Sequence, residues 1–248
     1  MEQGEVLRGR MIVRYLVLVS TSLLLYMGYE YARKIVAEGD VMVADAAYPL
    51  LLEKKLFGEP LTALMAKVRS QALSIVPTIV YSLHPAYFLL YLFYLAARDE
   101  KLYHAGQLSL VFSSITAILF YALHPTAPPW MVLPTIDRPR NPLLEAVEEL
   151  TGAHIDPNPY AAFPSMHVAI AVIAAELLRG RYGAKAYIWP FLMSFSTIYT
   201  ANHYLLDVMA GWLLGYLSYR TAASILEHYG ANSKLNIKTP TSTLVIRG

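Results

Sequence analysis

Cysteine is missing from this chain of 248 residues, and charged residues are scarce. Without a thiol there can be no disulfide, no cysteine nucleophile and no cysteine-ligated metal. Charged residues make up 15% of the chain, against roughly 25% in ordinary soluble domains, while hydrophobic residues reach 56%. The composition therefore excludes a typical soluble domain and favours an integral membrane protein. A net charge of +2 is too small to indicate binding to nucleic acid.

Long apolar runs are abundant, and we interpret six of them as membrane-spanning helices. A hydrocarbon core about 30 Å thick is crossed by ~20 apolar residues in a helix. The predicted spans are 11–32, 72–97, 105–123, 165–178, 186–201 and 203–219. The first run is interpreted as a span rather than a cleaved signal peptide, because no small-residue cleavage site follows it. The expected fold class is an all-α, polytopic integral membrane protein.

Two segments between the spans have sequence features of their own. Apolar residues recur at helical spacing over 57–68, which predicts an amphipathic helix lying in the membrane interface. The loop at 125–163 is rich in proline and contains a predicted short helix at 143–150. We therefore expect a single membrane domain over residues 1–230 and a loose polar tail over 231–248.

The distribution of charge and of histidine predicts how the chain is oriented. With the amino terminus in the cytoplasm, 12 of the 20 Lys and Arg residues fall on the cytoplasmic side, in agreement with the positive-inside rule. Five of the seven histidines then lie towards the opposite side; they are His84, His124, His154, His167 and His203. We expect a multi-pass protein of the plasma membrane with one polar site at its extracytoplasmic face.

Two polar pairs stand at the starts of predicted spans. Ser165 follows Pro164 and precedes an apolar run, so it is a candidate helix N-cap, and His167 lies in the first turn of that helix. A helix start suits a phosphate because it offers free N–H groups and positive dipole charge. His203 and Asp207 are four residues apart and share a face of the last span. Asp207 could accept a hydrogen bond from the His203 ring and leave its other nitrogen free to attack phosphorus.

These residues resemble the motifs of the type 2 phosphatidic acid phosphatase superfamily, a group of membrane lipid-phosphate phosphatases. Its Pro-Ser-x-His motif is matched by residues 164–167, and its Ser-Arg-x5-His-x3-Asp motif by the spacing of residues 196–207. Two cations of the family pattern are missing, since Met131 stands for the Lys of the first motif and Thr197 for the Arg of the third. These departures, together with the segment 125–130, are similar to the branch that contains inositol-phosphorylceramide synthases.

The resemblance implies a two-step reaction on a lipid phosphate, an isoprenoid pyrophosphate or a phospholipid headgroup. His203 would attack phosphorus while His167 protonates the leaving oxygen, and Asp207 would orient His203. Water, or an alcohol group of a second lipid, would then release the phosphohistidine, with His167 acting as the base.

Further residues are candidates for binding the substrate. The phosphate-binding candidates are Ser165, Arg138 and Arg140, with Lys67 and Arg69 as further replacements for the missing cations. The candidates for lining the substrate are His84, His124, Trp130 and Asn202. His84 and His124 each precede a proline, so each could instead mark a helix kink or a helix end.

Three classes of function are compatible with this pattern: a lipid phosphate hydrolase, a headgroup phosphotransferase, and a non-catalytic scaffold or lipid binder. The retention of both histidines and of Asp207 favours an enzyme, and the substitutions at Met131 and Thr197 favour transfer over hydrolysis. The histidine spacing matches no metal-ligand pattern, so we expect neither a metal nor an organic cofactor. The expected partners are the lipid substrate and the bilayer.

Overall fold

The structure is a computed structural model, and it describes residues 2–38, 46–134, 136, 149–150 and 160–232. Within these ranges the chain is helical and contains no β-strand beyond an isolated parallel bridge between Thr126 and Ala161. The helices are α1 (Glu2–Glu38), α2 (Ala47–Phe57), α3 (Leu61–Lys67), α4 (Gln71–Ser82), α5 (His84–Arg98), α6 (Glu100–Leu123), α7 (Pro129–Val132), α8 (Met166–Tyr182), α9 (Ile188–Tyr199) and α10 (Leu205–Asn232). A 3-10 turn at Gly183–Tyr187 joins α8 to α9. The prediction of an all-α fold is confirmed.

Helix α8 forms the centre of the fold. It is apolar on every side, and residues 168–175 are almost completely inaccessible to solvent. A helix that is hydrophobic all round has to be enclosed by other elements. Helices α5, α6, α9 and α10 pack around α8 and enclose it in this way. Ser165 and His167, which stand at the start of α8, are therefore held in place by the surrounding helices.

Two glycines allow α10 to pack very closely against α8. A Cβ atom at Gly211 would lie 2.5 Å from the carbonyl oxygen of Ser165, and a Cβ atom at Gly215 would lie 2.4 Å from the carbonyl oxygen of Ala169. Only glycine fits at these positions while the helices keep this separation. Small residues spaced four apart commonly bring membrane helices together in this way. The contact sets the distance between the first turn of α8 and the first turn of α10.

Six membrane spans are predicted, and fewer helices meet the requirements of a span. Among the described residues, Ile12–Ala37 and Glu100–Leu123 are long and apolar enough to cross a membrane. The pair Gln71–Ser82 and Ala86–Arg98 adds a third span if a chain bent by 46° is counted as one. Helices α8 and α9 have 17 and 12 residues, fewer than the ~20 that cross a bilayer unaided. The structure thus agrees with a helical membrane protein without confirming six spans.

Two helices differ from their predicted bounds. The interfacial helix predicted at 57–68 is shorter in the structure and corresponds to α3, Leu61–Lys67. Phe57 is instead the last residue of α2, which the chain leaves at Gly58 with a φ of +83°, a value that glycine adopts readily. Helix α10 continues to Asn232, well past the predicted end at 219. The predicted helix at 143–150, apart from its last two residues, and the tail after Asn232 lie outside the described residues.

Candidate active site

Ser165 begins helix α8 and connects it to α10. Its Oγ accepts a long hydrogen bond, 3.5 Å, from the N–H of Val168, as the predicted N-cap role requires. Its own N–H donates to the carbonyl oxygen of Asp207 at 3.1 Å. The first turn of α8 and the first turn of α10 are therefore joined by a backbone hydrogen bond as well as by close packing.

His203 is held by two backbone carbonyl groups. Its N–H donates to the oxygen of Thr197 at 3.2 Å, and its ring Nδ1 lies 2.8 Å from the oxygen of Ala162. Because a carbonyl oxygen can only accept, Nδ1 carries a proton and donates it. In the neutral ring Nε2 is then the unprotonated nitrogen. The arrangement selects the tautomer that a nucleophilic imidazole needs.

Asp207 is a more distant partner of this ring than the sequence predicts. Its Oδ2 lies 3.5 Å from Nδ1 of His203 and accepts a 2.8 Å hydrogen bond from the N–H of Tyr204. The bond to Tyr204 caps the start of α10, where a negative charge also suits the helix dipole. Asp207 is fully buried. The hydrogen bond predicted for Asp207 is thus made by the carbonyl oxygen of Ala162, and the carboxyl group of Asp207 lies beside it.

Three imidazole rings meet at the start of α8. The ring centroid of His167 lies 4.6 Å from that of His84 and 5.7 Å from that of His203, and Tyr81 stacks on His167 at 4.3 Å. His84 and His203 are buried, whereas His167 is partly exposed. His84 begins α5 at the break after α4, so it marks a bend and also lies beside His167. Within the described part of the chain, no three His, Asp or Glu residues are grouped to hold a metal ion.

The remaining predicted substrate-lining residues make other contacts. His124 is exposed and ends α6. The backbone N–H of Trp130 donates to the carbonyl oxygen of Ala201 at 3.2 Å, and this bond joins the loop after α6 to the turn before α10. The side-chain amide of Asn202 donates to the carbonyl and hydroxyl oxygens of Thr200 at 3.1 and 2.9 Å. The side chain of Asn202 thus supports this turn, and because the contact of Trp130 is made by its backbone, the substrate-lining role of the Trp130 side chain stays a prediction.

Of the four cations predicted to bind phosphate, two are described by the structure, and both make contacts with other protein groups. The ammonium group of Lys67 pairs with Glu59, and its side chain is 62% exposed. Arg69 donates to the carbonyl oxygen of Tyr199 and lies over the ring of the same residue at 5.3 Å. Two of the predicted residues lie outside the described part of the chain, namely Arg138 and Arg140. Their part in the site stays a prediction.

The sequence profile of a known family covers this whole arrangement. The profile is that of the PAP2 superfamily, and it matches residues 50–221, which is more than two thirds of the chain. The chain belongs to the PAP2 superfamily. The family resemblance predicted from the two motifs is confirmed.

Two individual proteins can be compared with this PAP2 superfamily member. A phosphoinositol dihydroceramide synthase of Bacteroides thetaiotaomicron is 29% identical over an alignment 141 positions long, and the match covers 48% of this chain and 46% of that protein. The chain therefore matches less than half of that protein's length. The crystal structure of LpxE from Aquifex aeolicus is similar with a TM-score of 0.54 at 20% identity, covering 74% of this chain and 99% of the other. At that identity the likeness shows a shared fold.

The sequence does not predict the part that Glu53 plays in this PAP2 superfamily member. Its side chain is fully buried, with Oε1 accepting from the N–H of Leu205 at 2.6 Å and Oε2 accepting from the N–H of Leu61 at 2.9 Å. Leu205 is the first residue of α10, so Glu53 caps the helix that carries Asp207. Burial raises the pKa of Glu53, and the two backbone donors oppose this effect because they favour the carboxylate.

Replacing Glu53 by glutamine is expected to lower the apparent melting temperature in detergent by about 3–10 °C. Glutamine keeps the shape of the side chain, but its NH2 group would face one of the two N–H donors and leave it unsatisfied. Thermal unfolding followed by circular dichroism measures the change. Glu59→Gln is the matched control, because Glu59 pairs with Lys67 near the surface and its loss should matter little. Equal melting temperatures for the two variants would contradict the capping role.

Proposed function

We propose that this protein is an integral-membrane phosphohistidine enzyme that hydrolyses or transfers the phosphoryl group of a lipid phosphate, an isoprenoid pyrophosphate or a phospholipid headgroup. The observation that carries the proposal is the pairing of His203 with His167. Nδ1 of His203 donates to Ala162, and the rings of the two histidines are 5.7 Å apart between centroids. The His203 ring is thereby held in the tautomer that a nucleophile needs, and the His167 ring beside it would transfer the proton.

The proposed reaction has two steps. In the first, the lone pair on Nε2 of His203 forms a bond to phosphorus as the bond from phosphorus to the leaving oxygen breaks, and His167 in its protonated form gives that oxygen a proton. In the second, an oxygen of water or of an acceptor alcohol attacks phosphorus, the N–P bond breaks, and His167 takes a proton from the attacking oxygen. Asp207, 3.5 Å from Nδ1, would favour the positive charge that the His203 ring gains in the first step.

The start of α8 would help to hold the phosphoryl group. The first N–H groups of a helix and its dipole favour an anion, and Ser165 and His167 stand at this helix start. The partial exposure of His167 supports access from outside the protein. The proposed phosphate-binding role of Ser165 rests on this position.

Headgroup transfer is a second candidate function. It is supported by the similarity to a phosphoinositol dihydroceramide synthase, although that similarity spans less than half of the synthase. In transfer, the hydroxyl of a second lipid would replace water as the acceptor. The substitutions at Met131 and Thr197 agree with this alternative, as the family resemblance implies.

An assay with defined lipids tests both candidates. The purified protein in detergent would receive a short-chain lipid phosphate or an inositol phospholipid, with or without a lipid alcohol such as a ceramide. Release of inorganic phosphate indicates hydrolysis, and a new phospholipid formed only with the alcohol indicates transfer. Vanadate should inhibit either reaction, because it imitates five-coordinate phosphorus at His203. A protein that binds these lipids but makes no product from any of them would indicate a non-catalytic lipid binder.

We also propose six spans with the site at the extracytoplasmic face of the plasma membrane. The spans would be α1, the bent pair α4 and α5, α6, α8, α9 and α10. Helices α8 and α9 are short, but α8 is enclosed by protein rather than lipid. The proposed orientation is supported by the 12 of 20 basic residues that fall on the cytoplasmic side.

The absence of cysteine makes this topology easy to test. Lys34 and Lys185 are both exposed, and the six-span arrangement puts them on opposite sides of the membrane. In intact cells a membrane-impermeant maleimide should label Lys34→Cys, whereas Lys185→Cys should react only after permeabilisation. Labelling of both variants from outside, or of Lys185→Cys alone, would contradict the proposed orientation.

A further inference from the structure

The two proposed catalytic imidazoles are held in different ways. The Nδ1 proton of His203 is held by the carbonyl oxygen of Ala162, whereas no described residue makes a hydrogen bond to a ring nitrogen of His167. A protonated imidazole has two N–H groups, and only one of them can serve the leaving oxygen. The proposed reaction therefore calls for an acceptor that orients the other N–H group of His167.

The bend between α4 and α5 brings two rings against His167. The proline at position 85 has no N–H to donate to the carbonyl group of residue 81, so the hydrogen-bond pattern of the helix is interrupted there. The segments on either side of this break are inclined by 46°. Tyr81 lies before the break and His84 at it, and their ring centroids are 4.3 and 4.6 Å from that of His167. One short segment therefore supplies two of the contacts of the proposed acid.

His84 has the chemistry that such an acceptor requires. The residue is only 4% exposed, and its Nδ1 is buried without a hydrogen-bond partner within the described part of the chain. Buried polar atoms are nearly always paired, so an unpaired one calls for an explanation. When the proton of the neutral ring is on Nε2, Nδ1 carries a lone pair and can accept a hydrogen bond. An unused acceptor thus belongs to a ring that already contacts His167.

The other two rings beside His167 are less suited to this part. The ring of Tyr81 is inclined to that of His167 by only 20°, so it covers the face of the imidazole, whereas the N–H groups point outwards in the ring plane. His203 donates its Nδ1 proton to Ala162, and its Nε2 is proposed to bond to phosphorus. The ring of His84 is tilted by 45°, which allows one of its nitrogens to approach the edge of the His167 ring.

We propose that His84 is a positioning residue whose Nδ1 accepts a hydrogen bond from His167 during catalysis. The inference rests on the function proposed above. In the first step, protonated His167 gives one proton to the leaving oxygen while its other N–H donates to Nδ1 of His84. The same bond then directs the free nitrogen of neutral His167 towards the attacking oxygen, from which it takes a proton in the second step. His84 keeps its own proton throughout. The two rings form this bond by a small rotation, and catalytic hydrogen bonds often tighten in this way when the substrate binds.

Two variants of His84 separate the acceptor from the bulk of the ring. His84→Leu removes the acceptor and should lower kcat for a short-chain lipid phosphate by about 10- to 100-fold, with KM changed by less than about threefold, because the bond acts in the transition state. His84→Asn places an amide oxygen near the position of Nδ1 and should recover most of this loss. His104→Leu is the matched control, since it removes an imidazole of α6 whose side chain is 47% exposed, and it should leave kcat unchanged.

A double variant tests whether His84 acts through His167. His84→Leu combined with His167→Ala should be no slower than His167→Ala alone, because the acceptor has then already lost its donor. If His84→Leu lowers kcat by the same factor in both backgrounds, His84 only supports the fold and the inference is overturned. Wild-type kcat in His84→Leu, or a loss in His84→Asn as large as that in His84→Leu, would overturn it as well. If His84→Leu does not fold, His84→Phe, which keeps a ring, decides by the same comparisons.

The proposed function has its own reference in the same assay, namely His203→Ala. An inactive His203→Ala beside a fully active His84→Leu would overturn the role of His84 and leave the phosphohistidine reaction in place. Equal turnover by the wild type and His203→Ala would overturn the proposed function and this inference with it.

Discussion

Replacing His203 by alanine is expected to lower kcat for the lipid substrate by about 10³-fold or more, which corresponds to at least ~4 kcal/mol of lost transition-state stabilisation. The reason is that the imidazole is proposed to form the covalent bond to phosphorus, and the carbonyl oxygen of Ala162 holds its Nδ1 proton at 2.8 Å, which leaves Nε2 free to attack. The measurement is product formed per enzyme under saturating substrate. Labelled substrate should also leave an acid-labile phosphoryl group on the wild type and none on the variant.

A control for this experiment lies on the same helix. His228 is exposed near the end of α10, and His228→Ala removes an imidazole without touching the site. This control should turn over at the wild-type rate and carry the same acid-labile label. A His203→Ala variant that keeps its fold and turns over as fast as His228→Ala would show that His203 is not the nucleophile.

The helix starts of the site follow from local sequence signals. A serine after proline and before an apolar run predicts an N-cap, and Ser165 is the N-cap of α8. A histidine and an aspartate four apart predict one helix face, and Asp207 lies in the first turn of α10, just after His203. Signals of this kind depend on neighbours in the chain, so the sequence alone is sufficient to read them.

The contacts that complete the site join residues far apart in the chain. Nδ1 of His203 donates to a residue 41 positions away, Ala162, rather than to its predicted partner four positions away. Glu53 accepts a hydrogen bond from the N–H of Leu205, which is 152 positions away in the chain. In the sequence Glu53 precedes two lysines, a pattern typical of an exposed helix surface. Nothing local distinguishes these residues, so their places depend on the tertiary packing.

For the membrane spans, the sequence leaves the surroundings of each helix undetermined. Hydropathy predicts where apolar helices lie, but it does not tell whether a helix faces lipid or protein. Helix α8 has 17 residues, and almost all its central positions are buried by other helices. Because such a helix meets protein on all sides, its length and composition need not match those of a lipid-facing span. The spacing of Gly211 and Gly215, by contrast, is a sequence signal for close helix packing.

Replacing Gly211 by alanine is expected to reduce both stability and activity. The added Cβ would lie 2.5 Å from the carbonyl oxygen of Ser165 and 3.0 Å from Cβ of Val168, and neither atom belongs to a flexible chain end. Helix α10 must therefore move away from α8. Crowding of this kind costs about 1–3 kcal/mol, which is a fall of roughly 2–10 °C in melting temperature. A displacement of about 1 Å between His203 and His167 would lower kcat by about 10²-fold.

Gly180 on α8 is the matched control for this experiment, because a Cβ there would meet no atom within 4 Å. Alanine is favoured over glycine inside a helix, so Gly180→Ala should melt at the same temperature as the wild type or slightly higher. The two variants add the same methyl group, and only the one at Gly211 presses on the start of α8. A Gly211→Ala protein with the melting temperature and kcat of Gly180→Ala would show that the two helix starts can separate without loss of function. The proposed mechanism would then lose its geometric basis, since it requires the imidazoles on α8 and beside α10 to act on one phosphoryl group together.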